Sequence, residues 1–153
     1  MSAHRKSRQR GFTLVEILIV VIILGILAAI VIPQFTNAST EARQSNVKSQ
    51  LQTLRSQIEL YKLQHKDVPP ALVTGTWDVM TKYTDIDGAT SATKDSTHIY
   101  GPYYQTAPVN PLADSSTCAA AAASGVGWVY SESTGAISAT NAKTGTTLFD
   151  ETN

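Results

Sequence analysis

One carboxylate in this chain stands among residues that belong in lipid. Glu16 follows Phe12-Thr13-Leu14-Val15 and precedes Ile17 to Ile32, an apolar run without a charge. An ionisable group in a spanning helix costs about 2.5 to 3.5 kcal/mol when central and less near the interface, so it calls for a partner. If the chain is cut between Gly11 and Phe12, the freed α-amino group lies one helical turn before Glu16. Glu16 then meets its own amine or that of a neighbouring chain, at a helix end where negative charge is favoured. The chemistry offered is proteolysis followed by ion pairing.

Little else in the sequence points to chemistry. No Gly-rich phosphate loop, nucleophile and base pair, or paired acids in a plausible pocket stand out, so an enzyme is not expected. His4, His65 and His98 are scattered, and with one cysteine they give no ligand spacing for a metal. Cys118, being alone, cannot form an intramolecular disulfide and is expected to be a small buried apolar residue.

The elements that must position Glu16 are legible from composition. The twenty-one residues Phe12 to Ile32 span roughly 31 Å as a helix, the thickness of a bilayer's hydrocarbon core. Arg5, Lys6, Arg8 and Arg10 precede any acid and should stay on the cytoplasmic side, leaving residues after Pro33 outside. Removing those four of the twelve basic groups leaves eight against twelve acids, a net charge of −4 that argues against a nucleic-acid partner. Two simpler readings remain: a secretory signal, for which the run is long and Thr36-Asn37-Ala38 is a poor cleavage site, and a plain signal anchor. Neither accounts for Glu16.

Gly11-Phe12-Thr13-Leu14-Val15-Glu16, after a basic leader and before an apolar stretch, resembles the class III signal of type IV pilins and type II secretion pseudopilins. The resemblance covers about residues 5 to 35. It implies cleavage after Gly11 and N-methylation of Phe12 by a prepilin peptidase, and a role for Glu16 in registering each subunit against its neighbour's amine. It also implies lipid around the helix before assembly and a homopolymer afterwards. Further implied partners are an inner-membrane assembly platform and minor pseudopilins. The location implied is a single-pass inner-membrane protein with a periplasmic C-terminal domain, later an extracytoplasmic filament. Gly25 and Pro33 weaken the helix between them, since glycine costs about 1 kcal/mol against alanine and Pro33 leaves the carbonyl of Ala29 without its usual donor. In related filaments the corresponding segment can unwind, and Gly25 with Ala29 also suits close helix packing.

Beyond Pro33, Val47, Leu51, Leu54, Ile58, Tyr61 and His65 recur at four- and three-residue spacing and lie on one helix face. Glu41, Arg43, Lys48, Arg55 and Glu59 interleave as a solvated surface, and Asp67-Val68-Pro69-Pro70 stops the helix near Lys66. The expected architecture is α+β and pilin-like. It has a leader over residues 1–11, a transmembrane and assembly helix over 12–33 and its amphipathic continuation over 34–66. A small globular domain follows over 67–153, with a short helix around Trp77 to Tyr83 and an antiparallel sheet. The sheet includes a hairpin of Gly127–Ser131 and Ala136–Thr140, and Trp77, Tyr83, Trp128 and Tyr130 should cover the stripe. Gly101-Pro102-Tyr103-Tyr104 and Pro108-Val109-Asn110-Pro111-Leu112 read as rigid turns, similar to the loop before the sheet in major pseudopilins. Ala119 to Ala123 is a loop or one helical turn.

The family pattern fails in two places. Type IV major pilins commonly close a C-terminal loop with two cysteines, and here there is one, which favours a pseudopilin or a disulfide-free pilin. Major pseudopilins commonly hold calcium in a carboxylate-rich C-terminal loop. After Pro111 this chain has only Asp114, Glu132, Asp150 and Glu151, whereas calcium takes six to eight clustered oxygens. No cofactor is expected, calcium being the one alternative, and Asp85-Ile86-Asp87-Gly88 reads as a solvated turn. The leading function is a structural filament subunit. The alternative is a minor tip subunit that adheres or binds DNA, with exposed Tyr100, Tyr103 and Tyr104 as its feature.

Overall fold

In a computed structural model, residues 11–141 and 147–149 are described. The basic leader residues, Asp150 and Glu151 lie outside them. The chain divides into two compact units, residues 1–40 and 41–153.

In the first unit, α1 begins; as a whole it spans Leu14–Gln64, with Pro33 inside it. Its apolar stretch is long and apolar enough to cross a membrane by length and composition. Every large apolar side chain from Phe12 to Ile32 is exposed. The segment between Gly25 and Pro33 is helical throughout.

The second unit is built on the rest of α1. Val47, Leu51, Leu54, Ile58, Tyr61 and His65 are all buried, as their spacing requires, and the charged residues between them point elsewhere. The helix stops at Gln64, slightly earlier than the prolines alone suggest. Lys66 and Asp67 take left-handed φ values of 57° and 64°, and the amide of Asp67 closes on the carbonyl of Lys62 at 2.9 Å, satisfying one terminal acceptor. Val68 before Pro69 could not have continued the helix in any case.

α2 (Asp78–Thr81) lies within the expected short helix, and its Met80 is completely buried. β1 (Tyr83–Thr84) and β2 (Thr90–Ser91) form a two-stranded antiparallel pair. They are joined by a turn in which the carboxylate of Asp85 accepts from the amides of Ala89 at 2.8 Å and Asp87 at 3.0 Å. The solvated-turn reading of residues 85–88 therefore holds, and Lys66 pairs with Asp87 across it.

The second sheet holds the expected antiparallel pair and adds a parallel strand to it. β4 (Trp128–Tyr130) and β5 (Ile137–Ala139) form the expected hairpin, with Gly135 at φ 77° closing its turn. Beside it runs β3 (Cys118–Ala119), parallel to β4, where a loop or helical turn was expected at Ala119. Antiparallel neighbours follow from a tight local turn, whereas a parallel neighbour is brought back by its whole connecting loop, which leaves no local signature.

Trp128, Tyr130, Ile137 and Ala139 pack with the α1 stripe, Leu72, Met80 and Phe149 in one core. Trp77 is partly buried against it, donating Nε1 to the carbonyl of Ser116 at 2.7 Å. Tyr83 is half-buried and outside the core cluster, so its expected share passes to Tyr103 and Tyr104, which do pack there. Cys118 is half-buried at the core's edge rather than enclosed, and burial pushes its thiol up to about 12.

Candidate functional site

The N-terminal end of α1 carries the expected processing and assembly residues, and the structure adds one that composition alone did not single out. Thr13 is the last residue before the helix. Its backbone amide and its hydroxyl both donate to one carboxylate oxygen of Glu16, at 2.8 and 2.7 Å. In return the amide of Glu16 points at the hydroxyl oxygen of Thr13 at 3.2 Å. This reciprocal pair is a capping box: it satisfies amides that the first turn of a helix leaves without partners. The signal was present as a threonine three residues before a glutamate at the head of an apolar run.

Gly11 and Phe12 precede this cap outside any helix or strand, with Phe12 84% exposed. The scissile bond assigned from the sequence thus lies outside regular structure. Gly25 faces open space, since a Cβ built there would meet nothing within 4 Å. Pro33 sits within α1, and just beyond it Thr36 and Thr40 return their hydroxyls to the carbonyls of Ile32 and Thr36, at 3.2 and 3.0 Å. Glu16 is the one carboxylate in the apolar segment.

Among the described residues of the globular unit, the polar side chains expected to matter are spent on structural contacts. His65 is buried, stacked on Tyr61 at 3.7 Å between ring centroids, with its ring nitrogens 2.8 Å from the Tyr61 carbonyl and 2.9 Å from the Thr84 hydroxyl. Both nitrogens are thereby occupied by structural contacts. Tyr100, Tyr103 and Tyr104, the expected feature of a binding module, are not exposed. All three are half-buried, and the hydroxyl of Tyr103 donates to Gln64 at 2.6 Å. Burial pushes the hydroxyls of Tyr103 and Tyr104 up to about 12.

Glu132 is one of the few, widely spaced acids after Pro111 and lies at the start of the β4–β5 turn. Its Oε1 accepts from the amides of Val73 and Thr74, both at 2.8 Å, and the Thr74 hydroxyl donates to it as well. Those donors, the Thr74 amide first, hold its carboxyl below the ordinary range. The acid is thus spent on pinning a loop nearly sixty residues away, which no local pattern reveals. Among the described residues, which leave out Asp150 and Glu151, no three His, Cys, Asp or Glu side chains come together as a metal-binding group.

A prokaryotic N-terminal methylation motif matches residues 6–32. The chain is 42% identical over 64 residues to the type II secretion system core protein G of Dickeya chrysanthemi, covering 42% of each chain. It is 40% identical over 65 residues to the core protein G of Klebsiella michiganensis, covering 42% of this chain and 46% of that one. To the type IV major fimbrial protein FimA of Dichelobacter nodosus it is 39% identical over 92 residues, covering 60% of this chain and 56% of that one. The chain spans about half the length of the curated relatives it matches. No solved structure matches it. The chain therefore carries a prepilin-type N-terminal methylation motif, with Thr13 and Glu16 at its helix head, and is similar both to type II secretion core protein G and to a type IV major fimbrial subunit.

Proposed function

We propose that this protein is a structural filament subunit. It is made as a precursor, cut after Gly11 and N-methylated at Phe12 by a prepilin peptidase. Identical copies then polymerise through α1 into a type II secretion pseudopilus or a type IV pilus-like fibre. The observation that carries this reading is the methylation motif running into an apolar helix with a single carboxylate at its head. The exposed side chains from Phe12 to Ile32 demand another surface, which lipid provides before assembly and neighbouring helices provide after it.

The steps follow from charge. In the uncut chain Glu16 is held by Thr13, so the carboxylate has donors before any partner arrives. Cutting between Gly11 and Phe12 places a cationic amine immediately before the cap. A charged donor competes well for the same oxygens in a low-dielectric setting, where charge-assisted bonds are roughly twice as strong as neutral ones. Pairing with the amine of an adjacent copy fixes the register of one helix against the next. The basic leader keeps the cut on the inner side of the inner membrane, and the unit of residues 41–153 faces the periplasm. The assembly platform and minor subunits act on this product, and the chain itself contributes contacts rather than turnover.

Native filaments or membranes should yield a protein whose first residue is N-methylated Phe12, by N-terminal sequencing and intact mass. A product beginning at Met1 or Ser2, or anywhere beyond Pro33, would overturn the proposal.

A further inference from the structure

Asn110 is completely buried, and every polar group it carries is used. Its side-chain Nδ2 donates to the carbonyls of Gly127 at 2.8 Å and Thr140 at 2.9 Å, and its Oδ1 accepts from the amide of Leu112 at 2.8 Å. Its own amide donates to the carbonyl of Ser115 at 2.9 Å, and its carbonyl accepts from the amide of Asp114 at 2.7 Å. Thr140, equally buried, donates its hydroxyl to the carbonyl of Val126 at 2.7 Å. The segment entering β4 and the end of β5 thus turn carbonyl oxygens inward onto two side-chain donors, one of which, Asn110, comes from the loop before β3.

Oxygens converging from separate loops are what a calcium ion recruits, and the pseudopilin resemblance leads one to expect calcium holding the C-terminal loops. Here an uncharged amide stands at the convergence. It supplies two N–H groups to two carbonyls and takes a third bond through its oxygen, which fills an amide's capacity for this geometry. The backbone is also closed around it. A Cβ added at Gly127 would sit 2.0 Å from the Ser115 carbonyl oxygen and 3.4 Å from the Asn110 Cβ. Glu132, one of the two described acids after Pro111, is turned to Val73 and Thr74 instead.

We infer that the loops around β3, β4 and β5 are closed by the buried Asn110–Thr140 hydrogen-bond node where a calcium ion would otherwise be needed, so that the domain folds without metal. The inference is independent of the filament reading, because a chain that never polymerised would contain the same node.

Thermal unfolding of the full-length protein in detergent, followed by near-ultraviolet circular dichroism, tests it. Wild-type curves in EDTA and in millimolar calcium chloride should coincide. Asn110→Asp, equal in size but with acceptors facing the Gly127 and Thr140 carbonyls, should lower Tm by at least about 5 °C in either solution. Thr140→Val, which keeps shape and removes the hydroxyl donor, should lower it by a smaller amount. A fall in the wild-type Tm on chelation overturns the inference, as does either variant melting with the wild type. Should Asn110→Asp not accumulate folded, the wild-type comparison and Thr140→Val decide the matter.

Discussion

Thr13 and Glu16 satisfy each other at the head of α1: two donors of the threonine meet one oxygen of the carboxylate at 2.8 and 2.7 Å. The acid is therefore partnered before any processing. Under the proposed function the capping box and the later ion pair use the same carboxylate in sequence, and the two uses can be separated by substitution.

Glu16→Val should leave cleavage and membrane insertion intact, because the substituted helix is more apolar than the original. Filament yield, measured by shearing and immunoblotting, should fall by more than tenfold. Thr13→Val removes one partner of the cap, a loss of about 1 kcal/mol, while sparing the carboxylate for the amine. Its yield should fall by less than that of Glu16→Val. Equal yields from Glu16→Val and wild type would refute the pairing of Glu16 with a freed amine.

Gly11→Ala tests the first step alone. The bond after Gly11 lies outside regular structure, ahead of the cap, and a Cβ there meets nothing within 4 Å, so an added methyl does not disturb α1. It changes only what a peptidase must accommodate. Intact mass should show the leader retained on the whole population. Normal processing of this variant would remove the assignment of the cleavage site.

The parts of this fold legible in the sequence are those whose cause is local. Val47 to His65 announce a buried helix face because their spacing is that of one helix, and all six are buried. The β4–β5 hairpin is legible because Gly127–Ser131 and Ala136–Thr140 are two strand-like runs separated by a short segment ending in Gly135. The parallel pairing of Cys118 with Trp128 is not legible, nor is the reach of Glu132 to Val73, nor the closure of Asn110 on Thr140. Each joins residues far apart in the chain and depends on where the core puts them. The burial of the tyrosines is illegible for the same reason: whether Tyr103 is exposed depends on Gln64 lying beside it. At the helix head the threonine-to-glutamate spacing is local and readable, although the charge of Glu16 in lipid points first to a partner from another chain.

Gly127→Ala tests the tight approach beside Asn110. The new Cβ would meet backbone atoms, the Ser115 carbonyl oxygen at 2.0 Å and its carbon at 2.8 Å, and no side chain that could swing aside. Overpacking of this kind costs roughly 1 to 3 kcal/mol. In the full-length protein this should lower Tm by about 4 °C or more. Gly125→Ala, where a Cβ meets nothing within 4 Å but φ is 80°, should cost less. A Gly127→Ala protein as stable as wild type would show that the segment entering β4 and the Asn110 loop are more loosely joined than drawn.

Cys118 sets the behaviour at high pH. Its thiol has an ordinary value near 9, and in the folded protein burial first, then the nearby charge of Glu132, pushes it up to about 12. Between those values the unfolded chain releases a proton that the folded chain retains. Stability contributed by the neutral thiol is therefore complete below pH 9 and declines as pH rises towards 12. Cys118→Ala should flatten the decline of Tm above pH 9, leaving whatever slope the buried tyrosines contribute. The same protonation makes the native thiol a poor nucleophile, since the thiolate is the reactive form. Iodoacetamide at pH 8 should label Cys118 at least about tenfold more slowly in the folded protein than in urea. Equal labelling rates, or a Cys118→Ala protein whose alkaline slope matches wild type, would show that the thiol is open to solvent at the edge of β3.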